Sequence, residues 1–357
     1  MTGPADDRYL AEILGQPAAF RRAAQAMAAQ DDTLRALATH GPRGPIVLTG
    51  MGSSYDACLA AGAALGGAGI LATTVETAEL LHVRRPMLGG AGLLVVVSQS
   101  GRSAEAVRLA EAVRGFDAGR RPLVLAITNG ATTPVAALAD LVLDTDVGPE
   151  VCPSTITFAG SLVALATVAA ILGGDTVEAA NANVAAAAAR AATASAELLG
   201  EPEETGTRLA AWLGGRPTIV ALGRGTGLAA AEMVALTLME AAAVAAGALP
   251  TAEFRHGPLE IVGPDVAVIL FALEPAAEAL DRAFSGELAA AGAAVLLVGP
   301  AGPAPPGVAS IDVPGPRGIL APAVSLGPLQ LLARRLAHAR GRRPGSFSHA
   351  AKVTTRE

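Results

Sequence analysis

Residues 93–111, LLVVVSQSGRSAEAVRLAE, constrain the fold more than any other stretch of the chain. Five apolar residues lead into Ser98-Gln99-Ser100-Gly101-Arg102-Ser103, and apolar positions then recur at Ala106, Val107, Leu109 and Ala110 with helical spacing. Such a run reads as a buried parallel strand, a hydroxyl-rich turn and a helix that begins at the turn. The N–H groups at a helix start, backed by its dipole, attract an anion, and Gly101 lets the backbone approach it closely. Ser98, Ser100, Ser103 and Gln99 add neutral donors that suit the terminal phosphate of a small molecule. One serine there would be an ordinary helix cap. A nucleotide-binding P-loop would need a lysine reaching the phosphates, and the turn has none.

The pattern is written twice. PIVLTGMGSSYDACLAAGAAL, from Pro45, and PTIVALGRGTGLAAAEMVALTL, from Pro217, share one organisation, so that Gly50, Gly52 and Ser53 correspond to Gly223, Gly225 and Thr226. VAVILFALEPAAEAL then takes the place of the stretch around Ser98. Two copies of one domain follow. Apolar strands alternating with helices predict parallel sheets covered on both faces, hence an α/β fold of two doubly wound, flavodoxin-like sheets in tandem. Ligands of such sheets sit beyond the carboxyl ends of the strands, where Ser53, Ser54 and residues 98–103 fall. The second copy carries Phe271-Ala272-Leu273-Glu274-Pro275 in place of the hydroxyl turn, so one phosphate site per chain is expected, in the first copy. The expected division is a leading helical segment at 1–43, a first domain at 44–175, a helical connection at 176–214, a second domain at 215–343 and a tail at 344–357. Strands are expected at 72–76, 93–97, 122–127 and 141–145 and a last helix at 321–340, with the helix through Glu240 stopping at Gly247 and Pro250.

Charge excludes some partners. A net charge of −6 with scattered basic residues argues against nucleic acid. Cys58 and Cys152 form neither a zinc pattern nor a disulfide framework, so no metal and no cofactor is expected. A reducing cytoplasm fits, since the first residues carry charges where a secretory signal needs an apolar core. The apolar run 227–244 is interrupted by Glu232, Thr237 and Glu240, and reads as a core helix rather than a membrane span.

Three residues carry candidate chemistry. Glu240 interrupts the apolar helix LTLMEAAAVAAG; a carboxylate desolvated there should have a raised pKa, as a base working near neutrality needs, unless it lies on a solvent-facing stripe. His256, in Glu253-Phe254-Arg255-His256-Gly257-Pro258, cannot continue a helix and is expected on a constrained loop, either shuttling protons or merely bonded to backbone. Lys352 is the only lysine of the chain, although Lys and Arg together number 26. An amine can lose its proton and form an imine with a carbonyl, whereas guanidinium stays charged. A surface lysine in the tail is the plain alternative.

With GMGSSYDA, SQSGRSAE, ITNGATTPVAALADLVL, GPEVCPSTITFAG, LMEAAAVAAGALPTAEFRHGPLEIV and AKVTTRE in place, the chain resembles the sugar isomerase (SIS) family over nearly its whole length. The closest resemblance is to the isomerase half of glucosamine-6-phosphate synthase and to stand-alone hexosamine-phosphate deaminases. It implies that Ser53, Ser54, Ser98, Gln99, Ser100 and Ser103 hold a sugar phosphate and that Glu240 moves a proton between C1 and C2. It also implies that His256, lent by a neighbouring subunit of a homodimer, assists ring opening and that Lys352 forms an imine with the open ketose. GPEVCPSTIT is one residue shorter than the family's GPEIGVASTK and has Ile156 where a lysine commonly stands, which leaves Glu150 and Ser154 as sugar contacts. Arg102 replaces a common glutamate, and Ser348-His349 an Arg-Asn type pair. No glutaminase half precedes residue 45, so glutamine is not expected as ammonia donor. The implied partner is a phosphorylated hexose or hexosamine. The implied reaction is isomerising deamination, with plain aldose–ketose isomerisation or ligand sensing as alternatives.

Overall fold

The computed structural model describes residues 7–41, 44–349 and 351–356. Strands β1 (Ile46–Gly50), β2 (Ala72–Glu76), β3 (Leu93–Val97), β4 (Leu123–Thr128) and β5 (Leu141–Asp144) form one sheet in the order β2-β1-β3-β4-β5. Strands β6 (Thr218–Gly223), β7 (Ala246–Pro250), β8 (Val266–Phe271), β9 (Ala294–Gly299) and β10 (Val308–Asp312) form the other, in the order β10-β9-β8-β6-β7. Every pairing is parallel. Counted within itself, each sheet has the flavodoxin order 2-1-3-4-5, whose switch point lies between the first and third strands.

The chain forms two compact units. The unit with the first sheet comprises Ala18–Pro149, Ile156–Ala189 and His349–Glu357. The unit with the second sheet comprises Glu150–Thr155, Arg190–Ser348 and the described residues up to Pro17. The leading helices therefore divide, with Arg8–Leu14 in the second unit and Asp31–His40 in the first. Residues expected to be a helical connection carry helices Val177–Leu198 and Pro202–Leu213.

Each sheet is buried because its central strands are apolar on both faces. All residues of β1, β3 and β8 are buried. Val47, Leu94, Val96, Leu109, Val113 and Val124 cluster on one face of the first sheet, and Leu222, Val268, Leu270, Phe284, Leu288 and Val295 on one face of the second. Each such side chain contributes about 1.5–3 kcal/mol relative to exposure. The duplication extends to backbone geometry: Gly52 has φ 51° and ψ −128°, and Gly225 has φ 51° and ψ −123°. Only glycine adopts that region readily.

One expectation fails. The helix through Glu240 spans Thr226–Ala242 and ends at Ala243, which is left-handed with φ 51° and ψ 43°. The Val244 N–H bonds the Leu238 carbonyl at 3.0 Å, closing the end in a Schellman-like turn. Arg340 seals the terminus by donating to the carbonyls of Ala243 (2.7 Å) and Ala242 (3.3 Å). Ala246–Pro250, expected as helix and stop, is the edge strand β7, paired with β6 from Ile219↔Ala246 to Gly223↔Pro250. Backbone pairing with β6 places it there; its small side chains carry no alternation.

Candidate functional site

In the unit with the first sheet, β1 and β3 are neighbours and each runs into a helix, Ser53–Gly67 and Ala104–Arg114. Both helix starts thus lie at the carboxyl edge of the sheet beside its switch point. Neither has a side-chain cap, since Gly52 and Ser103 occupy the cap positions without capping bonds. The turn after β3 is held from below. Ser98 N–H donates to the Ile127 carbonyl at 3.0 Å, which extends the β3–β4 ladder, and Asn129 N–H donates to the Gln99 carbonyl at 2.9 Å. Gly101 has φ 58°, and a Cβ on it would collide with the Thr133 side chain. Thr133 in turn caps the helix Pro134–Leu138 through the Ala136 N–H.

The serines of the turn differ in state. Ser98 Oγ is buried and has no hydrogen-bond partner among the described residues. Ser100 Oγ accepts from the Arg102 N–H at 3.2 Å. Gln99, Ser100, Ser103 and Ser53 are half-buried and Ser54 is buried, while Arg102 is exposed. A buried hydroxyl without a partner, at two helix starts, is a site prepared for an anion. The tail joins this site: the Ala104 N–H, next to Ser103, donates to the Thr354 carbonyl at 3.1 Å, and the half-buried Lys352 lies two residues earlier.

The second copy has the same stations with different chemistry. The Ala272 N–H donates to the Val298 carbonyl at 2.9 Å, as Ser98 does to Ile127, so a methyl group stands where Ser98 has its hydroxyl. Two residues on, Glu274 stands where the first copy has Ser100, and a Cβ on Gly225 would run into the Glu274 carboxylate. Arg224 is spent on the buried Asp281, at 2.7 Å. Burial pushes the Asp281 carboxyl up, against the pull of Arg224 and Thr251.

The unit with the second sheet holds the remaining candidates. Glu240 is half-buried in the last turn of its helix. Glu150 is buried, and its Oε1 accepts from the Thr155 N–H (2.7 Å) and Thr155 Oγ1 (3.1 Å). Ser154 is buried, and its carbonyl accepts from Gln330, which itself accepts from Gln16 at 2.8 Å. His256 is exposed in a turn after the short helix Thr251–Phe254, and Gly257 follows at φ 132° before a 3-10 turn at Pro258–Ile261. Arg255 beside it lies over the Phe284 ring at 3.9 Å and pairs with Glu287. Sequence reasoning missed Glu12 and Tyr9 on helix Arg8–Leu14. Glu12 accepts from the N–H groups of Val151 (2.8 Å) and Cys152 (3.1 Å), and so ties that helix to the Glu150 segment.

Cys58 and Cys152 are buried and unbridged, and burial pushes the Cys58 thiol up. Among the described residues no His/Cys/Asp/Glu cluster could hold a metal, and no helix is long and apolar enough to cross a membrane.

Fold and site together define a tandem doubly wound α/β protein with a hydroxyl-lined anion cradle at one of its two switch points. The chain belongs to the SIS family: the SIS domain matches residues 42–171 and 214–339. A glutamine–fructose-6-phosphate aminotransferase [isomerizing] of Aeropyrum pernix is 32% identical over 98% of this chain and 57% of its own length. The chain spans about half the length of the curated relatives it matches. Among solved structures, the C-terminal domain of glucosamine-fructose-6-phosphate aminotransferase from Francisella tularensis superposes with TM-score 0.82 at 20% identity, covering 96% of this chain and 98% of that one. Glucosamine-6-phosphate deaminase from Thermotoga maritima superposes with TM-score 0.69 at 21% identity, covering 93% and 99%.

Proposed function

We propose that the chain is an isomerising deaminase of an amino-sugar phosphate, converting glucosamine 6-phosphate and water to fructose 6-phosphate and ammonia. One observation carries this reading. The only amine side chain in the sequence, Lys352, belongs to a tail whose Thr354 carbonyl is bonded to the helix start beside Ser103. An imine-forming group next to a phosphate cradle suits carbonyl chemistry on a phosphorylated sugar.

The steps balance without a cofactor. Ser98, Gln99, Ser100, Ser103, Ser53 and Ser54 bind the phosphate, while Glu150 and Ser154 contact the sugar. His256 of a neighbouring subunit in a homodimer assists opening of the ring. Glu240 takes the proton from C2 of the open aldehyde and returns it to C1, leaving an imine at C2. The Lys352 amine adds to C2 and ammonia leaves, and water then hydrolyses the lysine imine to release the ketose. Positioned general acid–base groups supply about 10²- to 10⁴-fold of the rate.

Incubation with glucosamine 6-phosphate, glucose 6-phosphate and their unphosphorylated forms, following ammonia and ketose separately, tests this. Equal yields of ammonia and fructose 6-phosphate are expected from the amino-sugar phosphate alone. Ketose formed from glucose 6-phosphate without ammonia would assign plain isomerisation, and tight binding without turnover would assign a sensor.

A further inference from the structure

Tyr9 has no role in the chemistry above, yet its setting is unusual. It lies on the first turn of helix Arg8–Leu14 and is fully buried, and its hydroxyl has no hydrogen-bond partner among the described residues. A buried phenol normally finds one. The helix is fixed at both ends. Asp7 caps it through the Leu10 N–H (3.0 Å) and is clamped by Arg334 (2.6 Å), with His338 at 3.5 Å, while Glu12 grips the N–H groups of Val151 and Cys152. Tyr9, one turn before Glu12, faces the same segment. Burial pushes its phenol well up, and Cys152, Glu240, Glu150 and Glu12 add to that in this order, so three carboxylates and a thiol surround one neutral donor.

We propose that Tyr9 is a positioning residue for Glu240, its hydroxyl donating to the Glu240 carboxylate when the sugar phosphate is bound and fixing which oxygen meets the C2 proton. This rests on Glu240 being the proton-transfer group proposed above. A packing role alone needs only the ring, which phenylalanine keeps. A hydroxyl held without a partner costs the free protein stability, and function is the usual reason to keep such a group.

Tyr9→Phe in the full-length protein tests this through four readouts. The ligand-free variant should melt no lower than wild type. KM should stay within about twofold, whereas kcat should fall about tenfold, with the acid limb of its pH profile moved up by about one unit, because loss of a donor disfavours the ionised carboxylate. Glutamate ¹³C-carboxyl titration, with the Glu240 resonance assigned through Glu240→Gln, should show that shift in the complex with the open-chain alcohol glucitol 6-phosphate. This last readout needs no turnover. A shift there in a protein that deaminates nothing would retain the Tyr9–Glu240 contact and discard the proposed reaction. An unchanged Glu240 titration in that complex, together with an unchanged kcat profile, would overturn the inference.

Discussion

Ser98→Ala separates a binding hydroxyl from a structural one, because the two roles predict opposite effects on the free protein. Ser98 Oγ is buried with no partner among the described residues, while the residue's N–H holds the turn to Ile127. Alanine keeps the N–H bond and removes only the hydroxyl, so the melting temperature should be unchanged or slightly raised. Binding should behave differently. A hydrogen bond to a charged group is worth about 1.5–3 kcal/mol, which is about 10- to 150-fold in Kd. Calorimetric titration with fructose 6-phosphate, against fructose as control, reads this directly. Ser100→Ala should lose both affinity and stability, since its hydroxyl already accepts from the Arg102 N–H. Thr226→Ala supplies the control: that hydroxyl is also buried without a partner, but it lies in the second copy, where phosphate affinity should not change. An unchanged Kd in Ser98→Ala, or a melting temperature lowered by several degrees, would refute the phosphate assignment.

Mixing Glu240→Gln protein with His256→Ala protein should restore part of the activity that each lacks alone, if His256 serves a neighbour's site; no recovery after verified subunit exchange would place the site within one chain. Lys352→Arg should abolish ammonia release while fructose 6-phosphate still binds within about threefold, since guanidinium keeps the charge but forms no imine. Acid stability should depend on Asp7. Burial raises its carboxyl, but the Leu10 N–H and Arg334 outweigh that and hold it below the ordinary 3.8. Its contribution is therefore full above that value and is lost as pH falls through the lower, folded one. Asp7→Asn should lower the melting temperature at pH 7 and flatten the loss below pH 4, as thermal melts across pH would show.

How far the sequence could be read follows from where each signal lies. β2 and β3 have the ends expected of them, because an apolar β-branched run bounded by a turn has one solution in a parallel sheet. The cradle was legible for the same reason: strand, serine turn and helix are contiguous in residues 93–111. Gly101 could be flagged, but the collision with Thr133 that explains it depends on a residue brought in from the β4 side. β7 was hidden because Ala246–Pro250 is a half-exposed edge strand of small residues, whose identity comes from its register on β6. Tyr9 and Glu12 were invisible for a third reason. Locally they are two positions of a short amphipathic helix, and what marks them is a segment about 140 residues away in sequence.

The central claim is that Lys352 forms a covalent imine with a ketose phosphate held by the Ser98 turn. Borohydride reduction in the presence of fructose 6-phosphate, followed by peptide mapping, measures it with little ambiguity, because only the α-amino group competes with the single lysine. The expected result is one hexitol phosphate adduct per chain at Lys352, absent in Lys352→Arg and strongly reduced in Ser98→Ala. Quantitative ammonia release from glucosamine 6-phosphate with no adduct at Lys352 would contradict the account.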